Sequence, residues 1–104
     1  MSENDLLKCV LNLAKLYGWR TYHARPAMTA KGYRTPVQGD GKGFPDLVLA
    51  KQGRVIFAEL KSAKGTLTDA QQEWRGVLYQ YAHVWRPTDW NDGTILATLK
   101  GTPP

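Results

Sequence analysis

Phe44-Pro45-Asp46-Leu47-Val48-Leu49-Ala50-Lys51-Gln52-Gly53-Arg54-Val55-Ile56-Phe57-Ala58-Glu59-Leu60-Lys61 contains two apolar runs separated by Gln52-Gly53. Runs rich in Val, Ile and Phe favour strands, and Gly at the second loop position supplies the positive φ of a tight hairpin turn. The spacing predicts strands over 46–50 and 54–61. With Gln52-Gly53 as the loop, Lys51 faces Arg54, Ala50 faces Val55, Leu49 faces Ile56, Val48 faces Phe57, Leu47 faces Ala58 and Asp46 faces Glu59. Side chains alternate between the faces of a sheet. One face therefore reads Ala50/Val55, Val48/Phe57, Asp46/Glu59 and then Lys61. The other carries Leu49/Ile56 and Leu47/Ala58, apolar enough to be core, so both faces are expected to be covered.

Carboxylates opposed across a ladder have Cβ atoms about 5 Å apart, and like charges there are destabilising. An apolar setting worsens the repulsion, because carboxylates lose hydration in it. Asp46 and Glu59 therefore need a cation or a shared proton. Hard oxygen ligands without His or Cys point to Mg²⁺ or Mn²⁺. Such an ion can acidify water, neutralise phosphate charge and orient an in-line attack. Lys61, on the same face, is placed to hold an attacking water or a phosphate. The competing reading leaves all three as solvated strand-end residues, and a bulge in the hairpin would break the pairing.

Outward from the hairpin, residues 2–18 read as a helix. Leu6, Leu7, Val10, Leu11, Ala14 and Tyr17 recur at helical spacing, with Ser2 as N-cap and Gly18 as stop. Trp19-Arg20-Thr21-Tyr22-His23 alternates as a strand does. Residues 24–43 show neither period and hold two prolines and four glycines. A connection of this length without structure is functional or mobile as a rule. Its Arg25, Lys31, Arg34 and Lys42, joined by Lys64 after the second hairpin strand, are candidate phosphate contacts; the bland alternative is a solvated loop. Residues 68–80 form a second helix with Ala70, Trp74, Val77, Leu78 and Tyr81 on one face. Residues 83–86 read as a short strand, 91–100 as a short helix, and 101–104 as a frayed tail. The order is αβββαβα in a single α/β domain over 1–104.

The chain has 104 residues and a net charge of +5. That length fits one domain burying roughly 65% of its unfolded surface, and the charge favours a polyanionic partner. No apolar run is long enough to span a bilayer, and the acidic start Met1-Ser2-Glu3-Asn4-Asp5 lacks the basic beginning of a secretory signal. A cytoplasmic location and no membrane partner are therefore expected. Cys9, the only cysteine, falls among apolar positions of the first helix and reads as a buried structural thiol. Cys9, His23 and His83 do not form paired zinc spacing. There is no phosphate-binding G-x-x-x-x-G-K-[ST] loop and no nucleophile turn of a serine hydrolase.

Gly43-Phe44-Pro45-Asp46-Leu47 with Ala58-Glu59-Leu60-Lys61-Ser62 resembles the G-x-P-D…(D/E)-x-K signature of PD-(D/E)xK nucleases. Leu67-Thr68-Asp69-Ala70-Gln71 and Trp74 resemble the L-(S/T)-x-x-Q-x-x-W helix of their VRR-NUC branch. Trp85-Arg86-Pro87-Thr88-Asp89-Trp90 resembles that branch's R-P-x-D-W tail. The resemblance implies a restriction-endonuclease-like fold: an αβββαβ core with a central mixed sheet flanked by helices, and a short C-terminal helix. It also implies an Mg²⁺- or Mn²⁺-dependent endonuclease that hydrolyses DNA phosphodiester bonds, structure-selective for Holliday junctions or branched DNA, and homodimeric. Carried over by position, Asp46, Glu59 and the carbonyl of Leu60 bind metal, Lys61 positions the nucleophile, Gln71 supports the site, and Glu3 is an additional acidic ligand.

Thr68-x-x-Gln71 is also a capping box, in which case Gln71 is expected to serve its helix and turn from the site. Glu3 stands in a helix's first turn, where the dipole favours an acid anyway, and Asp5 is a neighbouring alternative. His23 is either an ordinary strand-end residue or a phosphate contact or general acid. Trp85 and Trp90 belong to the core or to a dimer interface. The reading from a different class is a non-catalytic nucleic-acid-binding domain that keeps the nuclease fold.

Overall fold

Ser2 accepts a hydrogen bond from the Asp5 N–H and Asp5 returns one from the Ser2 N–H, at 3.0 and 3.1 Å. This reciprocal cap starts helix α1 (Glu3–Leu16), and Gly18, at φ +79°, turns the chain out of it. The computed structural model describes residues 1–24, 27–29, 32–34 and 38–101, the two three-residue stretches by their backbone. After α1 come β1 (Arg20–His23), β2 (Ala27–Thr29), β3 (Gly32–Arg34), β4 (Leu47–Lys51), β5 (Arg54–Leu60) and α2 (Asp69–Leu78). A 3-10 turn (Tyr79–Tyr81), β6 (Ala82–Trp85), α3 (Pro87–Asn91) and α4 (Thr94–Lys100) complete the order.

Four strands form one mixed sheet in the order β1-β4-β5-β6, antiparallel except for the parallel β5–β6 pair. The hairpin register is the one the Gln52-Gly53 turn dictates, from Lys51↔Arg54 to Leu47↔Ala58. Gly53 takes the left-handed conformation, at φ +78°. Leu47, Leu49, Ile56, Ala58 and Leu60 form the fully buried face of the sheet. They pack with Leu6, Val10 and Ala14 of α1 and with Ile95 and Leu99 of α4. Each buried Leu or Ile contributes on the order of 2 kcal/mol, so this face holds most of the core's stability. The Trp19 indole N–H donates to the Leu99 carbonyl at 2.8 Å, and Arg54 lies over the Trp19 ring while donating to the Gly101 carbonyl at 2.7 Å. These contacts fasten the chain's C-terminal end to the hairpin.

The opposite face is only half covered. Val48, Val55 and Phe57 are half-buried there, and α2 contributes no fully buried side chain. Val77 and Tyr81, expected on the packed face of α2, are exposed, and Tyr79 at φ +47° ends the helix before Gln80. The supposedly structureless connection carries the β2–β3 hairpin, paired Ala27↔Arg34, Met28↔Tyr33 and Thr29↔Gly32. Three-residue strands are too short for periodicity to register, which explains the discrepancy. The single C-terminal helix expected over 91–100 is two helices parted at Asp92-Gly93, because Gly93 sits at φ +85°. Trp85 is buried and Trp90 packs against the core, so both serve packing. Cys9 is half-buried, not fully enclosed. The expected frayed tail lies outside the described residues beyond Gly101. Among the described residues, no helix is long and apolar enough to cross a membrane.

Candidate active site

The β4–β5 ladder ends at Leu47↔Ala58, so Asp46 lies one residue before its strand rather than within it. Its carboxylate instead accepts the Leu60 N–H at 2.8 Å. Asp46 is thereby anchored to the backbone of β5 beside Glu59, the one buried charged residue among those described, at 7% exposure. Lys61 follows directly after β5; its N–H donates to the Trp85 carbonyl at 3.0 Å. The ammonium stands 3.9 Å from Glu59 Oε1. Hairpin and parallel strand together place both acids and the lysine at one end of the sheet.

Gln71 resolves the choice between cap and site by using both ends of its amide. Its Oε1 accepts the Thr68 N–H at 2.9 Å, closing the cap, while its Nε2 donates to Glu59 Oε1 at 2.9 Å. Glu59 Oε1 is thus held by Gln71 and lies near Lys61, whereas Oε2 is buried with no hydrogen-bond partner. A buried carboxylate oxygen without a partner is costly. Burial first, and the neighbouring Asp46 carboxylate second, push the Glu59 carboxyl up to about 8, while the Lys61 ammonium pulls it down.

A divalent cation beside Oε2, or a proton shared with Asp46, would remove both the orphaned oxygen and the repulsion, and the donor set fits the hard ion expected from the sequence. Glu3 lines a small cleft with Asp46, Leu60 and His23, and its charge adds to the field at Glu59. Asp5 does not compete for this role, because its carboxylate closes the α1 cap. Among the described residues no three acid, His or Cys side chains form a ready-made ligand cluster. Of the residues expected to hold a metal, Asp46 and Glu59 stand side by side, and Glu3 and Leu60 share a cleft with Asp46.

The metal-free protein should reveal the strained acid through its stability. Glu59 binds a proton more readily when folded than when unfolded, so its contribution to stability is fully present below pH 4.5 and is lost as pH rises from 4.5 through about 8. His83 works in the opposite direction, since burial holds its pKa below 6.5 and stability falls as pH drops below that value. Above about pH 6.5 the His83 contribution fades, while that of Glu59 persists to about pH 8 with a slope of at most about 1.4 kcal/mol per pH unit. Thermal melts in chelator should show the midpoint falling across that window, and Glu59→Gln should flatten it. A flat wild-type profile would contradict the environment described for Glu59.

Three further features were not legible as site elements. Arg86 donates to the Ser62 and Gly65 carbonyls at 2.8 and 2.6 Å, clamping the loop that leaves Lys61. Its own N–H is taken by Asp89 at 2.8 Å, with Pro87 opening α3. Gly43, at φ +79°, lies against the first turn of α2, and a Cβ there would stand 2.7 Å from the Gln71 nitrogen. Phe44 meets Phe57 and Trp74 edge-on, at 5.9 and 4.9 Å between ring centroids. The Arg-Pro-x-Asp spacing of a helix start was the available signal for the clamp; nothing local identified the approach at Gly43.

Of the candidate phosphate contacts, Lys42 and Lys64 are exposed. Arg25 and Lys31 lie outside the described residues, and for Arg34 the description is confined to the backbone. Set against known proteins, the chain matches no family model, no curated protein and no solved structure.

Proposed function

We propose that this chain is a divalent-metal-dependent endonuclease that hydrolyses DNA phosphodiester bonds, a VRR-NUC-like member of the restriction-endonuclease-like group. The observation that carries the reading is the buried, unpartnered Oε2 of Glu59 beside Asp46, with an ammonium on the same carboxylate's other oxygen. Structural ion pairs satisfy both oxygens where they can, whereas a site kept ready for a cation leaves one open.

Asp46 and Glu59 would hold Mg²⁺ or Mn²⁺, with the Leu60 carbonyl and Glu3 as additional donors. When bound, the ion supplies charge neutralisation at the scissile phosphate and acidifies water. The chain's own residues supply orientation. The Leu60 N–H fixes Asp46, and the Gln71 amide fixes Glu59 without consuming Oε2. Lys61 places a positive charge beside the carboxylates, where it can hold an anionic phosphate oxygen or orient the attacking water. Arg86 keeps the loop beyond Lys61 in place through two carbonyls. Preorganisation of this kind lowers the barrier because no group must reorient as charge develops.

Shape rather than base sequence is the proposed basis of substrate choice, since no sequence-reading motif is recognisable. Symmetric incision of a four-way junction needs two active centres, hence the proposed homodimer. A cytosolic setting is part of the same proposal. Sedimentation at micromolar concentration showing a monomer with and without DNA would remove the dimer from the proposal.

Cleavage of four-way junctions, flaps, duplex DNA and RNA in Mn²⁺ and in chelator tests the reading. Wild type should cut DNA only with metal, and Lys61→Ala should lose roughly a hundredfold or more in rate. Failure to cut any substrate would leave a basic nucleic-acid-binding domain that keeps the fold.

A further inference from the structure

Asp46 and His23 separate two recesses. On one side lies the acidic cleft with Glu3 and Leu60. On the other is a cleft of about 900 Å³ whose walls include Tyr22, Phe44, Trp74 and Lys42. Tyr22 pairs with Val48 on the edge strand of the sheet, and the residue is 63% exposed. Phe44 is 38% exposed, yet its ring is fixed edge-on between Phe57 and Trp74. Trp74 is fixed in turn, because its indole N–H donates to the Asp40 carbonyl at 2.9 Å. Exposed aromatic rings cost solvation, and rings held rigid beside an active centre are prepared to stack on a flat partner.

We infer that this cleft is a subsite for an unpaired nucleobase next to the scissile phosphate, so that the enzyme takes DNA with single-stranded character at the cut. The inference rests on the nuclease reading, because the shared Asp46 wall is what joins the base cleft to the acidic one. Base–aromatic stacking is tolerant of sequence, since every base offers a π-face. A base paired and stacked inside a duplex cannot present that face, whereas the unpaired bases of a flap, or of a branch point opened by the enzyme, can. Lys42 stands at the cleft to meet a backbone phosphate, but Asp40 lies on the same wall. With Asp46 on that wall too, the described lining carries no excess of positive charge, so stacking and not electrostatics governs the subsite.

Binding of a short fluorescent oligodeoxythymidylate in chelator, where nothing is cut, tests this directly against an abasic strand of equal length and charge. Wild type should prefer the thymidylate by about tenfold or more. Tyr22→Ala should erase most of that preference, and Tyr22→Phe should keep it. Equal affinity for the two strands, no binding of either, or a preference unaffected by Tyr22→Ala would overturn the inference. The wild-type comparison needs no variant to fold. Because turnover plays no part, an absent base preference overturns the subsite without touching the nuclease reading, and absent cleavage leaves the base preference measurable.

Discussion

Glu59→Gln is expected to lower metal-dependent DNA cleavage by about a thousandfold or more while raising the stability of the metal-free protein at pH 8. The two effects have one cause. A carboxylate that holds a catalytic cation contributes several kcal/mol at the transition state, and about 4 kcal/mol corresponds to a thousandfold in rate. In the absence of metal the same carboxylate is buried, faces Asp46 and has one oxygen without a partner. Glutamine keeps the shape, still offers an oxygen to the Gln71 amide, and removes the repelled charge. A carboxylate with a purely structural role would behave otherwise: its loss would weaken the fold and affect cleavage only in proportion. Cleavage rates in Mn²⁺ with melts in chelator on the same preparation distinguish these outcomes. Wild-type cleavage by Glu59→Gln would take this residue out of the mechanism.

Gly43→Ala should destabilise the protein by about 2–4 kcal/mol, the combined size of left-handed strain and overpacking. The added Cβ would come within 2.5 Å of the Ala70 carbonyl carbon and 2.7 Å of the Ala70 Cβ and Gln71 N. None of those atoms can move without moving the first turn of α2. That turn carries Gln71, whose amide orients Glu59, so the substitution should impair cleavage even at temperatures where the chain remains folded. Gly53→Ala is the informative control, since it has φ +78° but nothing within 4 Å of the added carbon. It should cost only the backbone strain, about 1 kcal/mol, and leave cleavage near wild type. Equal behaviour of the two variants in denaturant titration and cleavage would show that the close approach at Gly43 does not matter.

These two predictions mark where the sequence was informative and where it was not. The register from Lys51↔Arg54 to Leu47↔Ala58 followed from a two-residue turn and the alternation of faces, because those rules are local and strict. The meeting of Asp46 and Glu59 was legible for the same reason, although the way Asp46 is held was not. It leaves the ladder and binds the Leu60 N–H, a choice between a strand pairing and a side-chain acceptor that periodicity does not encode. Gln71 was read as having one task, whereas a carboxamide has a donor end and an acceptor end and can serve a cap and a carboxylate together. Arg86 and Gly43 were missed as site elements because their partners lie far along the chain, in the loop after β5 and at the start of α2. Val77 and Tyr81 looked like part of a packed helix face because hydrophobic spacing reports what could be buried, not whether a partner covers it.

Calorimetric titration of Mn²⁺ into wild type and Glu59→Gln at pH 8 examines the core of this account without any assumption about substrate. Wild type should bind the ion with release of protons from the Glu59 carboxyl, and the variant should lose most of that affinity. Equal Mn²⁺ binding by the two proteins, or none by wild type, would contradict a cation site built from Asp46 and Glu59.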